Sequence, residues 1–115
     1  MAAGFNVEVG EWTAFQSNGW KVVFDFRQND QTGELSGDAD AQPIAGGAGQ
    51  DGDVQPGSKV DGNFFFCRVK WNPNGPTGNY QGIFGLDGGL TGTTHDESNL
   101  ASQATWVANR TFPRL

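Results

Sequence analysis

Residues 20–28 read WKVVFDFRQ and carry the clearest structural pattern in the chain. Apolar and largely polar positions alternate along this stretch; the apolar positions are Trp20, Val22, Phe24 and Phe26, and the others are Lys21, Val23, Asp25 and Arg27. Alternation with a period of two is typical of a β-strand that is buried on one face and wet on the other. The pattern therefore predicts such a strand at Trp20–Gln28.

Similar patterns recur on both sides of this strand, whereas no segment of a dozen residues has apolar positions at helical spacing. Residues that favour turns separate the apolar runs, and Asp87-Gly88 is a strong hairpin signal. Seven further strands are predicted, at Gly10–Gln16, Glu34–Gln42, Ser58–Asp61, Phe64–Trp71, Gly78–Phe84, Gly89–His95 and Ala104–Phe112.

Eight short strands joined mostly by tight turns, with no crossover helix, predict an all-β fold: an eight-stranded antiparallel up-and-down (meander) barrel. Closing the sheet into a barrel removes its unpaired edges. Eight strands leave an interior that side chains fill or that holds one small ligand. A half-sandwich is the structural alternative.

The chain has 115 residues, which is enough for one hydrophobic core, so residues 1–115 are predicted to form a single domain. Nine Phe, four Trp and one Tyr concentrate the apolar content in large rings, a composition that favours strands. The segment Pro43–Gly57 is rich in glycine and acidic residues. It is predicted to be a long loop within the domain.

The charge of the chain narrows its range of partners. Its formal net charge is −6, and its seven Lys and Arg residues form no cluster, so nucleic acid is not an expected partner. No stretch approaches the roughly 18 apolar residues of a membrane span. The single cysteine, Cys67, forms no internal disulfide, and the sequence fits both a mature secreted protein and a cytoplasmic one.

Five short motifs stand out along the chain: Gly10-Glu11-Trp12, Gly33-Glu34-Leu35-Ser36-Gly37-Asp38, Val69-Lys70-Trp71, Asn79-Tyr80-Gln81-Gly82 and Asn109-Arg110-Thr111-Phe112. In this order they resemble the motifs G-x-W, D-G-x-L-T-G, V-x-W, W-x-G (with Tyr for Trp) and D-T-F of the avidin family of biotin-binding barrels. The first two also occur in lipocalin-like barrels. The resemblance covers nearly the whole chain and implies an avidin- or lipocalin-like barrel.

Few of the family's ligand-contacting residues have an equivalent in this chain. Trp71 takes the place of a biotin-contacting Trp, and Tyr80 the place of another aromatic wall. Ala39 and Asp40 replace the strand-three Tyr and the polar residue after it, and Arg110 replaces the terminal acid that polarises the ureido ring. The family's hydroxyl on strand six falls near Gly78 in this chain. Its Trp on strand seven falls near Thr94 or His95. A site that lacks its hydrogen-bonding partners loses orders of magnitude in affinity, so biotin is not the expected ligand.

Aromatic residues suggest a binding site at the open end of the barrel, because aromatic walls suit sugars and other flat ligands. Its candidate residues are Trp71, Tyr80, Trp106, Trp12 and Arg110, the last as a partner for an anionic or carbonyl group. The alternative interpretation is that these rings only pack the interior of the barrel and bind no ligand. Trp71 and Tyr80 stand out because they flank the polar loop of residues 72–78.

No enzymatic residues, metal ligands or cofactor can be defended from the sequence. His95-Asp96-Glu97 with Ser98 invites a catalytic interpretation, but adjacent residues point in different directions, so a solvated loop is expected. Asp38, Asp40, Asp51 and Asp53 could supply oxygens to calcium, yet they match no established loop, and an acidic surface is the default interpretation.

The run Phe64-Phe65-Phe66 places rings on both faces of one strand. With Phe65, Cys67, Val69 and Trp71 inward, the outward Phe64 and Phe66 suggest an interface, and a homo-oligomer is expected. The leading hypothesis is therefore a non-enzymatic barrel that binds a small molecule or glycan. The alternative is a self-assembling or protein-binding module, including a protease-inhibitor-like barrel, that uses its outer strand faces.

Overall fold

The computed structural model describes residues 4–115, in which nine β-strands and no helix occur. The strands are β1 (Trp12–Gln16), β2 (Trp20–Gln28), β3 (Leu35–Pro43), β4 (Gln50–Val54), β5 (Lys59–Asp61), β6 (Phe64–Trp71), β7 (Thr77–Phe84), β8 (Gly89–Asp96) and β9 (Asn99–Thr111). This part of the chain also contains no helix of the length and hydropathy needed to cross a membrane.

All nine strands belong to one antiparallel sheet that closes on itself. The strands pair in the order β4-β3-β2-β1-β9-β8-β7-β6-β5, and the additional pair β4–β6 completes the ring. The strands β4 and β5 share the position between β3 and β6: β4 pairs with one end of β6 and β5 with the other. The fold is therefore a closed eight-stranded meander barrel with one extra strand, as the sequence predicts, and not a half-sandwich.

The predicted strands correspond closely to the observed ones. Trp20–Gln28 and Phe64–Trp71 have the predicted bounds, and the other six differ by up to five residues at their ends. In β6, Phe65, Cys67, Val69 and Trp71 are buried and Phe64 points outward, as predicted.

The segment predicted as a long loop, Pro43–Gly57, contains the strand β4. Its register with β3 pairs Asp38 with Asp53 and Asp40 with Asp51, so the acidic side chains lie on the outer face. The strand pattern was missed because the inner face of β4 carries Gly52 in place of a large apolar residue. Closure of the barrel, which requires a strand between β3 and β6, decides the structure here.

The buried hydroxyl of Ser58 bridges the gap between β4 and β5. Its Oγ accepts a hydrogen bond from the backbone N–H of Arg68 on β6 at 2.9 Å and donates one to the carbonyl of Gln55 at 2.9 Å. At this point the regular ladder of the sheet is interrupted, so a side chain replaces a backbone partner. Ser58 is 1% exposed, which makes this replacement part of the core.

Aromatic rings fill one end of the barrel. Trp12 packs against Phe24, Phe26, Phe65 and Phe112, with ring centroids 4.8–6.1 Å apart. Phe5, from the segment before β1, stacks on Phe84 at 4.4 Å. This closed end contrasts with the other end, where β1 finishes and β2 begins and where the interior opens to solvent.

Candidate binding site at the open end

A cavity of about 230 Å³ occupies the open end of the barrel. Its walls are aromatic and its rim is polar: the lining residues include Gln16, Asn18, Trp20, Gln50, Trp71, Gly78, Tyr80, Thr94, His95, Asp96 and Ser102. They come from the ends of β1, β2, β4, β6, β7, β8 and β9 and from the adjoining turns, so the closed sheet brings together residues far apart in sequence. A concave, largely preformed site with aromatic walls and a few polar groups is typical of small-molecule binding sites.

Glycines create the space that Trp71 occupies. Gly52 on β4 is the direct cross-strand partner of Trp71, and a β-carbon there would lie 2.6 Å from the indole Cε3. Gly78 on β7 separates the two rings of the cavity, because a β-carbon there would lie 3.1 Å from Trp71 Nε1 and 3.3 Å from Tyr80 Cε1. The absence of a side chain at Gly78 therefore allows both rings to lie against the backbone of β7.

The four indole N–H groups fall into two classes. Trp12 donates to the carbonyl of Val7 at 3.3 Å, and Trp106 donates to the carbonyl of Thr93 at 2.9 Å. Within residues 4–115, the N–H groups of Trp20 and Trp71 have no protein acceptor, although Trp71 is only 6% exposed. No buried polar atom of the described residues lacks a partner, so the Trp71 N–H is accessible from the cavity. It is a donor available to a ligand.

A chain of hydrogen bonds orders the opposite side of the cavity. The Tyr80 hydroxyl donates to Oε1 of Gln16 at 2.9 Å, and Nε2 of Gln16 donates to Oδ1 of Asn18 at 3.0 Å. Asn18 Oδ1 also accepts a hydrogen bond from the backbone N–H of Trp20. The chain links the floor of the cavity to the turn between β1 and β2, and so fixes the ring of Tyr80 and the backbone at Trp20.

The electrostatics of the cavity favour a ligand without a strong charge. Burial raises the pKa of the Tyr80 hydroxyl well above its usual range, against the opposing effect of a hydrogen bond with Thr94, so this group is a neutral phenol at ordinary pH. Asp96 is the only carboxylate, and His95 the only basic side chain, among the described residues that line the cavity. Both lie at the end of β8, at the rim.

An ion pair beside the rim ties the turn after β8 to β6. Arg68 donates to Glu97 through Nε at 2.6 Å and through a terminal nitrogen at 2.9 Å, an arrangement that lowers the pKa of the Glu97 carboxyl. Both side chains are about one-third exposed, so the contribution to stability is small. The pair neutralises two charges that would otherwise border the site.

The structure brings together two of the five residues predicted for the site. Trp71 and Tyr80 line the cavity. Trp106 lies beneath it, 1% exposed and edge-on to Tyr80, and does not line it. Trp12 belongs to the closed end, and Arg110 lies on the outside of β9, where its guanidinium sits 5.5 Å above the ring of Phe112.

Several residues that line the cavity were not predicted from the sequence. Trp20 was assigned to the buried face of β2; it lies on that face, beyond Val22, but at the mouth, where it is 37% exposed. Gln16, Asn18 and Gln50 belong to no motif. Only their position, at or beside strand ends that meet at one rim of the barrel, could have indicated that they line the cavity. His95 and Asp96 end strand β8 at this rim, so the solvated loop expected at residues 95–98 is reduced to the turn of Glu97 and Ser98.

The acidic residues considered for calcium lie elsewhere, on the outer surface of β2, β3 and β4. Asp38 is the direct partner of both Asp25 and Asp53 across the sheet. Among the described residues, no group of three or more histidine, cysteine or acidic side chains is arranged to hold a metal ion.

In comparisons with known proteins, no protein-family model, no curated protein and no solved structure matches the chain. The chemistry of the cavity is therefore the basis for assigning a function.

Proposed function

We propose that the protein is a non-enzymatic binding barrel whose cavity at the open end takes a small, uncharged molecule or a glycan. The single observation that carries this proposal is the state of Trp71. Its ring is almost entirely buried, yet its N–H has no acceptor within residues 4–115 and is accessible from the cavity. Buried indole N–H groups usually have a partner, as those of Trp12 and Trp106 do here.

The proposed contacts follow from the geometry of the walls. A flat ring or sugar face packs against the cavity side of Trp71 and Tyr80, beside the backbone of Gly78. A carbonyl or hydroxyl oxygen of the ligand accepts from the Trp71 N–H. Side chains at the rim, including Ser102 and Asn18, contribute further polar contacts. Because the lining carries little charge, affinity comes from ring burial and neutral hydrogen bonds.

An avidin-like relationship is part of this proposal. It is supported by the eight-stranded meander and by Trp71, which ends the inner face of β6 as the V-x-W motif implies. The ligand is proposed to differ from biotin, because Ala39 and Arg110 stand where the resemblance implies an inner-face Tyr and a polarising acid. Ala39 lacks a hydroxyl, and Arg110 lies outside the barrel.

The experiment is a thermal-shift screen with neutral saccharides and planar heterocycles, followed by titration calorimetry of any compound that stabilises the protein. Trp71→Phe retains an aromatic ring and removes the N–H. We expect this variant to bind at least tenfold more weakly, which corresponds to about 1.4 kcal/mol.

Trp12→Phe is the matched control, because it makes the same change at the closed end. It is expected to lower the Tm and to leave the Kd unchanged. An equal Kd for the wild type and Trp71→Phe would remove Trp71 from the site, and a screen without any stabilising compound would argue against this ligand class.

A further inference from the structure

Five directly paired residues form a line across the outer wall of the barrel. Phe64 on β6 is the cross-strand partner of Ile83 on β7, Ile83 of Thr91 on β8, Thr91 of Val107 on β9, and Val107 of Phe15 on β1. We call these five residues the apolar row. Its four large members are 43–63% exposed. Large apolar side chains on a wet sheet face mark an interaction site when they are contiguous.

A second line of outward residues runs beside the apolar row; it is uncharged and, apart from Phe66, polar. Its members are Phe66, Gln81, Thr93 and Thr105, each again the direct partner of the next. Together the two lines border a groove of about 650 Å³ between Phe64 and Ile83 on one side and Val107 on the other. None of these nine side chains is ionisable.

The rest of the outer surface differs sharply from this wall. Across β2, β3 and β4 the outward positions pair Asp25 with Asp38 and Asp38 with Asp53, and the chain as a whole carries a net charge of −6. Two copies of such a molecule repel each other except where the facing surfaces carry no charge. The wall with the apolar row provides such a surface.

We propose that the apolar row is the interface of a twofold dimer, with a second copy of this chain as its occupant. The row has the same order of side-chain types in both directions: aromatic, β-branched aliphatic, threonine, β-branched aliphatic, aromatic. A twofold interface requires one patch to be complementary to itself, and this symmetry of the row meets that requirement. The ridge of Phe64 and Ile83 from each copy enters the groove of the other, as two sheets packed face to face.

The size of the wall determines the strength of the dimer. With strands about 4.8 Å apart and same-face residues about 6.8 Å apart, the nine positions cover roughly 300 Å² of sheet plane on each copy. The two copies together contribute roughly 600 Å², which is less than the interface of a stable dimer, so the dimer is weak and reversible. The row runs from Phe64 and Ile83, near the closed end, to Phe15, whose neighbour Gln16 lines the cavity. None of the nine side chains lines the cavity itself.

The test is sedimentation equilibrium of the full chain from about 1 μM to about 1 mM, the range in which an interface of this size associates. The wild type is expected to show a monomer–dimer equilibrium. Ile83→Lys places a cation in the centre of the wall and is expected to weaken association at least tenfold. Leu100→Lys is the matched control, since Leu100 is also exposed but lies in β9 near the turn that follows β8.

The outcomes separate cleanly. A wild type that dimerises, with Ile83→Lys monomeric and Leu100→Lys unchanged, supports the proposal. A wild type that stays monomeric up to about 1 mM overturns it, and so does an equal loss of association in the two variants. Circular dichroism of Ile83→Lys establishes that the barrel is folded, which is expected because Ile83 is 58% exposed.

Discussion

Gly52 on β4 lies directly opposite Trp71 on β6, and the edge of the indole ring fills the volume that a side chain at Gly52 would need. A β-carbon at Gly52 would lie 2.5 Å from a methyl group of Val69 and 2.6 Å from Trp71 Cε3. Both distances are too short for carbon atoms, so any larger residue displaces the ring. The position of the main aromatic wall of the cavity is therefore set by a glycine on another strand.

Gly52→Ala is expected to destabilise the protein by about 1–3 kcal/mol, the usual cost of overpacking a core, and to shift the emission of Trp71. Urea unfolding followed by fluorescence measures both effects. Gly85→Ala is a suitable control, because its new methyl group is close only to the end of the Asp87 side chain and makes an ordinary contact with the carbonyl of Gly89. A Gly52→Ala variant as stable as the wild type would show that the ring of Trp71 is not confined by β4.

Biotin is expected to leave the Tm unchanged, even at millimolar concentration. Ala39 and Gly78 stand where the resemblance to avidin implies a tyrosine and a hydroxyl, and Arg110 lies outside the cavity. A thermal-shift titration measures this directly. A rise of several degrees that is lost in Trp71→Phe would mean that a different set of residues replaces the missing contacts.

Trp20 is expected to account for most of the fluorescence that acrylamide can quench. It is 37% exposed at the mouth of the cavity, whereas the other three indoles are at most 6% exposed. In Trp20→Phe the Stern–Volmer slope is expected to fall to the low value of buried indoles. Trp106→Phe removes a protected indole instead and is expected to raise the slope, so an equal change in the two variants would contradict the placement of Trp20.

The sequence predicts the strands best where alternation and turn chemistry agree. In β2 and β6 most inward positions carry a large apolar residue, and the predicted bounds match the observed ones. In β4 the inward Gly52 and the outward Asp51 and Asp53 have low strand propensity. This strand forms because β3 and β6 both need a partner, which is a property of the closed barrel and not of the local sequence.

The candidate site is predictable only in part, for a related reason. Trp71 and Tyr80 were identified by their position next to a turn-rich loop. Trp12 and Trp106 look equivalent to Trp71 in the sequence, and the difference lies in backbone carbonyls that the fold brings to their N–H groups. Gln16 contacts Tyr80 across 64 positions of sequence, and no local pattern indicates such a contact.

Ser58→Ala is expected to destabilise the barrel by about 1–3 kcal/mol, because it leaves the buried N–H of Arg68 without its partner. Chemical denaturation measures the loss. Ser36→Ala, on the exposed face of β3, deletes the same hydroxyl at the surface and is expected to change stability by less than about 0.5 kcal/mol. Equal effects of the two substitutions would mean that water replaces the hydroxyl of Ser58.

Because the thiol of Cys67 is buried, the stability of the protein is expected to fall as the pH becomes alkaline. Burial raises its pKa to about 12, with a smaller opposing effect from a hydrogen bond with Ser58, whereas the unfolded chain releases this proton near pH 9. The folded state therefore retains the proton longer. The stabilising contribution is complete below about pH 9 and is lost as the pH rises towards 12, by up to about 1.4 kcal/mol per pH unit for one proton.

Unfolding free energies of the wild type and of Cys67→Ala between pH 8 and pH 11 measure this contribution. Burial raises the pKa of Tyr80 as well, so the variant is expected to lose part of the alkaline decline and to retain the rest. At pH 8 a thiol reagent is expected to leave the native protein unmodified and to react on unfolding, because Cys67 is fully buried. Parallel pH profiles for the two proteins would show that the thiol does not contribute to the decline.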